Sequence, residues 1–99
     1  MPEPNSQAAQ TFGERVRMMR VALGLSQESV ADLAQMHVTN FGKIERGSAN
    51  PSLHTIICIA GVLGVDPSRL VDGIGLEQLP PHFHVLTAAE FVRERRSRG

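Results

Sequence analysis

Tryptophan and tyrosine are absent and phenylalanine occurs only four times in 99 residues. That leaves little aromatic surface for stacking bases or sugars and argues against single-strand recognition by a stacking platform. Cysteine occurs once, at Cys58; an intrachain disulfide is impossible, and a reduced cytosolic thiol is a simpler reading than an intermolecular bridge. Net charge is also missing. Ten Lys and Arg offset ten Asp and Glu, so any affinity for nucleic acid has to come from where the cations sit and not from their sum. No apolar run approaches the roughly 18 residues of a membrane span, and MPEPNSQAAQ at the start has neither the basic nor the apolar part of a signal peptide. The expected location is the cytoplasm. The length suits one small domain and excludes a large multidomain enzyme, while 41% hydrophobic residues with 20% charged ones suit a packed core.

What is present reads as a helical chain. Residues 1–10 are polar, hold two prolines and show no periodicity, so they read as a flexible lead-in. Phe12, Val16, Met19 and Leu23 then follow at spacings of 4, 3 and 4, one face of a helix that Gly24 ends. Ser26 is placed to cap a second helix ending near Ala34, with Glu28 in its first turn and Val30, Leu33 and Ala34 facing inward. A third helix is expected from His37 or Val38 to Arg46, stopped by Gly47, with Phe41 and Ile44 inside. After the turn Asn50-Pro51-Ser52, a fourth helix carries Leu53, Ile56, Ile57, Ala60 and Leu63 on one stripe. Cys58, Ile59 and Val62 make it apolar nearly all round, which places it centrally, with part of it at a subunit interface. Asp66-Pro67 opens a short fifth helix through Leu70 and Val71.

From Asp72 the pattern changes. Gly73 and Gly75 loosen the chain, Pro80-Pro81 stiffens it, and HFHVLT (82–87) alternates polar and apolar residues like a short strand. Thr87-Ala-Ala-Glu90 has the spacing of a capping box and opens a last helix from Ala88 to about Arg96. A lone strand leaves backbone groups unpaired. Antiparallel pairing with the same strand of a second copy would satisfy them, with Phe83, Val85 and Phe91 at the dimer contact; extended coil packed on the domain is the alternative.

Two short helices joined by a tight turn suggest a helix-turn-helix, whose second helix enters the DNA major groove. The sharper signals are L-G-L-S-Q at Leu23–Gln27, I-E-R-G at Ile44–Gly47, N-P-S at Asn50–Ser52 and L-G-V-D-P at Leu63–Pro67. Each is weak alone, but in this order and spacing they are specific. The chain from Phe12 to Val71 resembles the Cro/repressor-type (Xre) family of bacterial and phage transcription regulators. The resemblance implies an all-α, five-helix helix-turn-helix domain at residues 11–72; the strand and helix read from the residues at 73–99 form a C-terminal extension expected to dimerise it. The resemblance further implies a cytoplasmic regulator without cofactor, most often a repressor, that binds double-stranded DNA as a homodimer on a palindromic operator. Any small-molecule effector is left open, as are the operator and the phage, restriction-modification, antitoxin or chromosomal setting.

The residues themselves support this through charge placement. Arg20 lies four residues after Val16 and Glu45 four after Phe41, so each falls on the apolar stripe of its own helix. A half-buried charge demands a partner, which matches Arg20 to Glu45, and the resemblance implies the same pairing. At about 100° per residue, Thr39, Lys43 and Arg46 cluster opposite Phe41, with Gly42 beside them and Val38 at the exposed N-terminal end. The resemblance implies base reading at Val38, Thr39 and Lys43, with Gly42 where many relatives carry a polar side chain. Lys43 would donate to guanine O6 or N7, and Val38 and the Thr39 methyl would meet thymine methyls. Gln27 and His37, early in the second and third helices, are placed like the family's phosphate-contacting residues, and helix N-termini favour anions. Arg17, Arg46, Ser48 and Asn50 extend that set. Two residues depart from the family pattern. Gln35 stands where the turn usually has glycine, so a left-handed conformation is expected there at a cost of about 1 kcal/mol. Gly42 costs the recognition helix about as much, ~1 kcal/mol, while letting backbone approach DNA closely.

Other chemistry is thinly represented. There is no Ser/His/Asp set, phosphate loop or paired-carboxylate site, so no enzyme is expected. His82 and His84 share a strand face but lack a nearby Cys, Asp or Glu, and Cys58, four residues after His54, reads as a small buried residue; no metal is expected. Arg93, Arg95, Arg96 and Arg98 suit a helix C-terminus as readily as phosphates. The rival from another class, motivated by the neutral charge and by Gly42, is an antitoxin-like protein-interaction module of the same fold with weak or no DNA binding.

Overall fold

The structure is a computed structural model that describes residues 5–80 and 86–98. Its elements are α1 (Gln7–Ala22), α2 (Gln27–Leu33), α3 (Val38–Glu45), α4 (Leu53–Leu63) and α5 (Ser68–Val71), then a 3-10 turn at Leu76–Gln78 and α6 (Ala88–Arg98). Hydroxyl caps start most of them. Ser6, Ser26 and Ser52 accept from the backbone N–H of Ala9, Ser29 and Thr55 at 3.0, 3.0 and 3.1 Å, and Thr87 accepts from Glu90 at 3.2 Å; each such cap is worth about 1 kcal/mol. Asp66 Oδ1 accepts from the Ser68 N–H at 2.9 Å, and that bond holds the exposed carboxyl below its ordinary pKa.

Helices α1 to α4 also end alike. In each, a residue with positive φ (Gly24, Gln35, Gly47 or Gly64) turns the chain so that the next N–H reaches back five residues. Met36 to Ala31 and Ser48 to Lys43, both 2.9 Å, are examples. Gln35, at φ 57°, is the only non-glycine among the described residues in this region, which is the left-handed conformation expected for the α2–α3 turn. Met36 then packs against the core, fixing where α3 starts.

One core joins the first five helices: Phe12 and Val16, Val30 and Ala31, Phe41 and Ile44, Ile59, Ala60 and Leu63, and Leu70. Val16, Val30, Phe41, Ile59 and Leu70 are fully enclosed, each worth about 1.5–3 kcal/mol of burial. Gly13, buried on α1, sets how closely α1 meets α3: a Cβ there would run into the Ile44 carbonyl oxygen and stand 2.6 Å from that of Glu45. Arg15 ties α1 to α5 by donating from Nη1 to the Leu70 carbonyl at 3.2 Å.

Several expectations need correction. The first helix begins at Gln7, so residues 7–10 are not a loose lead-in; Ser6 caps them and Ala9 is buried. Alanine is too small to mark a stripe in sequence, which is why this turn reads as polar. On α2, Ala31 is buried and Leu33 is 64% exposed, because the core lies on the side shared by Val30, Ala31 and Ala34. On α4, Ile59 is buried while Leu53 and Ile57 are exposed; the inner stripe is rotated by about 50° from the one expected. A helix apolar on every side gives periodicity nothing with which to choose a face. No strand occurs among the described residues. Of the expected strand at 82–87, His82 to Val85 lie outside them, and Leu86 and Thr87 are irregular. Thr87 instead serves as the cap of α6.

Two substitutions test this packing. Gly13→Ala should destabilise the domain at or above the upper end of the roughly 1–3 kcal/mol typical of overpacking, because backbone carbonyls cannot step aside; thermal melting would report it. Gln35→Gly removes left-handed strain of about 1–2 kcal/mol against a glycine entropy cost of about 0.5–1 kcal/mol. Its melting temperature should therefore rise by a few degrees.

Candidate nucleic-acid interface

The interface is organised from inside. Arg20 on α1 donates from Nε to Glu45 Oε2 at 2.7 Å and from Nη2 to Oε1 at 3.0 Å, a bidentate pair, while Nη1 donates to the Leu25 carbonyl at 2.8 Å. The Arg20 side chain is 12% exposed and that of Glu45 only 2%. Gln27, the first residue of α2, adds a donor from Nε2 to Glu45 Oε1 at 2.8 Å. Glu45 therefore fastens α3 to α1 and α2 at once. Its hydrogen bond to the guanidinium raises the Arg20 pKa above the ordinary value, outweighing the opposing effect of burial.

With Phe41, Gly42, Ile44 and Glu45 turned inward, α3 leaves Val38, Thr39, Asn40 and Lys43 on its exposed side, with Arg46 exposed at its C-cap. Asn40 is an addition to the sequence-derived set; a helical wheel places it about 100° from Thr39, off the stripe. Gly42 lies beneath Arg46 and Gln27 and not on the outer surface. His37 is the exposed N-cap of α3 and makes no side-chain cap bond. Arg17 is exposed on α1, Asn50 is exposed beyond α3, and Ser48 is half-buried with Oγ donating to the Lys43 carbonyl at 3.2 Å. The tie of Gln27 to Glu45 had no sequence signal, since only the fold brings residues 18 positions apart together.

The expected dimer residues divide. Phe83 and Val85 lie outside the described residues, as do His82 and His84, and Phe91 on α6 is 51% exposed. His54 Nε2 and Cys58 Sγ approach to 3.5 Å on the outer side of α4. Among the described residues no group of three or more His, Cys, Asp or Glu is placed to hold a metal ion, and no helix is long and apolar enough to cross a membrane.

Residues 11–72 match the family model described as a helix-turn-helix domain. The chain belongs to that family, in its Cro/repressor-type branch. Control protein C.BamHI of Bacillus amyloliquefaciens is 42% identical over 62 residues, covering 62% of this chain and 76% of that protein. The SPbeta prophage-derived uncharacterized HTH-type transcriptional regulator YonR of Bacillus subtilis is 37% identical over 62 residues, 63% of this chain but 57% of its own length. Among solved structures, the restriction-modification controller protein C.AhdI from Aeromonas hydrophila superposes with a TM-score of 0.62 at 40% identity, covering 63% of this chain and 94% of that one. The P22 c2 repressor, solved with a synthetic operator, shares the fold at a TM-score of 0.61 and 23% identity over 65% of this chain and 97% of its own. The helix-turn-helix match ends at Asp72, so α6 lies beyond it.

Removing one member of a buried pair leaves the other charge uncompensated, at a cost of about 3–5 kcal/mol, a large part of the stability of a small domain. Arg20→Ala should largely unfold the chain. A melting temperature within a few degrees of wild type would refute the structural importance of the pair.

Proposed function

We propose that this chain is a sequence-specific regulator of transcription that binds double-stranded DNA through α3, acting as a homodimer on a palindromic operator and chiefly as a repressor. The observation that carries the reading is the outward side of α3, where Val38, Thr39, Lys43 and Arg46 are exposed while Glu45 anchors the opposite side through Arg20 and Gln27. Lys43 is the candidate for guanine O6 or N7, and Val38 with the Thr39 methyl for thymine methyls. Arg17, Arg46, His37, Gln27, Ser48 and Asn50 are the candidates for the flanking backbone.

Family membership supports the DNA-binding reading, and so does the fold shared with the P22 c2 repressor, which was solved in complex with a synthetic operator. The dimer is supported by apolar side chains that the isolated chain leaves uncovered, with Leu53 72%, Ile57 51% and Phe91 51% exposed. A symmetric pair would place one α3 in each half-site, about one helical turn apart.

The test begins with selection of bound fragments from random duplexes, read as a half-site and a spacing, with sedimentation giving the subunit count. On the selected site, log K should fall against log salt with a slope of roughly 0.9 per phosphate neutralised. Flat binding would favour the protein-interaction module, and a monomer on a single half-site would remove the dimer. Lys43→Ala should weaken the selected site by about 1–3 kcal/mol and random duplex far less. Equal losses on both would remove its base-reading role.

A further inference from the structure

Gly42 borders the outer side of α3, and its position relative to Arg46 gives it a use. Helical side chains lean toward the N-terminus of their own helix, over the residue one turn earlier. Arg46 follows Gly42 by four residues, so its guanidinium leans onto that glycine. A Cβ at position 42 would stand 3.1 Å from Arg46 Nη1, 3.9 Å from its Cζ and 3.6 Å from Gln27 Oε1. The guanidinium thus occupies the space that a side chain at 42 would take, and Gly42 is buried although it borders the exposed side. Gln27 closes the far edge. Its amide nitrogen gives one of its two N–H groups to Glu45 Oε1 at 2.8 Å, and its carbonyl oxygen, an acceptor, lies on the Gly42 side. That oxygen can orient a guanidinium but cannot itself hold a phosphate.

We propose that Gly42 is a positioning residue: by leaving the turn beneath Arg46 empty, it seats that guanidinium between Gln27 and the Thr39–Lys43 side as a fixed cation for one DNA phosphate. The inference rests on the DNA-binding reading above and refines it, giving Arg46 a built seat beside Gln27, one of whose amide N–H groups is held by Glu45. It also gives a reason for glycine within a recognition helix of 8 residues.

The experiment uses the full chain and a labelled short duplex of random sequence, with affinity measured across a range of salt concentrations. Arg46→Ala sets the scale, with weaker binding and a log–log slope shallower by about 0.9, the equivalent of one phosphate. Gly42→Leu, checked for a cooperative melt, is expected to reproduce both changes, and the double variant should bind no more weakly than Arg46→Ala alone. A wild-type slope in Gly42→Leu, or losses that multiply in the double variant, overturns the proposal. If Gly42→Leu does not fold, Gly42→Ala decides: a loss that disappears in the Arg46→Ala background supports the seat, and no loss overturns it. A wild-type chain whose duplex binding ignores salt removes the DNA-binding reading and the seat together. A steep wild-type slope with unaffected Gly42 variants removes the seat alone.

Discussion

The domain depends on one carboxylate. Glu45 is almost wholly excluded from water, and burying an unpaired charge of that kind would cost more than a small domain can bear. It is tolerated because its oxygens accept from Arg20 Nε, Arg20 Nη2 and Gln27 Nε2. Those donors come from two different helices, so the bonds that satisfy the charge also dictate the rotation of α3 about its axis. A set of hydrophobic contacts alone would tolerate small rotations of α3; a bidentate guanidinium–carboxylate pair does not. The orientation of the exposed side is therefore an electrostatic decision taken in the interior.

Much of this architecture is visible in the sequence, because short helices with polar caps and glycine stops carry local signals. Ser26, Gly24, Gly47 and the Phe41/Ile44 stripe bound and orient α2 and α3 without help from tertiary structure. The spacing of Arg20 from Val16 and of Glu45 from Phe41 likewise puts both charges on the inner stripes, where the structure has them paired. The misreadings have distinct causes. At Ala9, Ala31 and Gly13 the interior is made by residues too small to register as hydrophobic, and at Gly13 the backbones of α1 and α3 meet. Along α4 the opposite holds: apolar side chains all round hide which of them face inward. The engagement of Gln27 with Glu45 was invisible for a different reason, being a contact between elements that no periodicity within either can reveal.

The α2–α3 turn shows how a fold can keep a junction while replacing its usual residue. The bonds from Met36 and Gln35 back into α2 are those that glycine would permit, and the cost of holding Gln35 left-handed is borne by the packing of Met36 beyond it. The neutral overall charge is reconciled in a similar way. Arg20 is consumed internally and Arg15 reaches a carbonyl of α5, so the cations available to a partner are those displayed on α1, α3, α5 and the C-terminal helix.

The contact at Gly13 has a mechanical meaning. Where the backbones of α1 and α3 touch without an intervening side chain, and the ion pair of Glu45 reaches Arg20 further along α1, the two rods behave as a single stiff body. Such a body cannot swing its leading rod to suit an imperfect target. Mismatch at a duplex would have to be absorbed by rotamers of the outward side chains, by a change in the angle between subunits, or by deformation of the nucleic acid itself. Discrimination would then reside partly in how easily a given stretch of duplex bends to a rigid template.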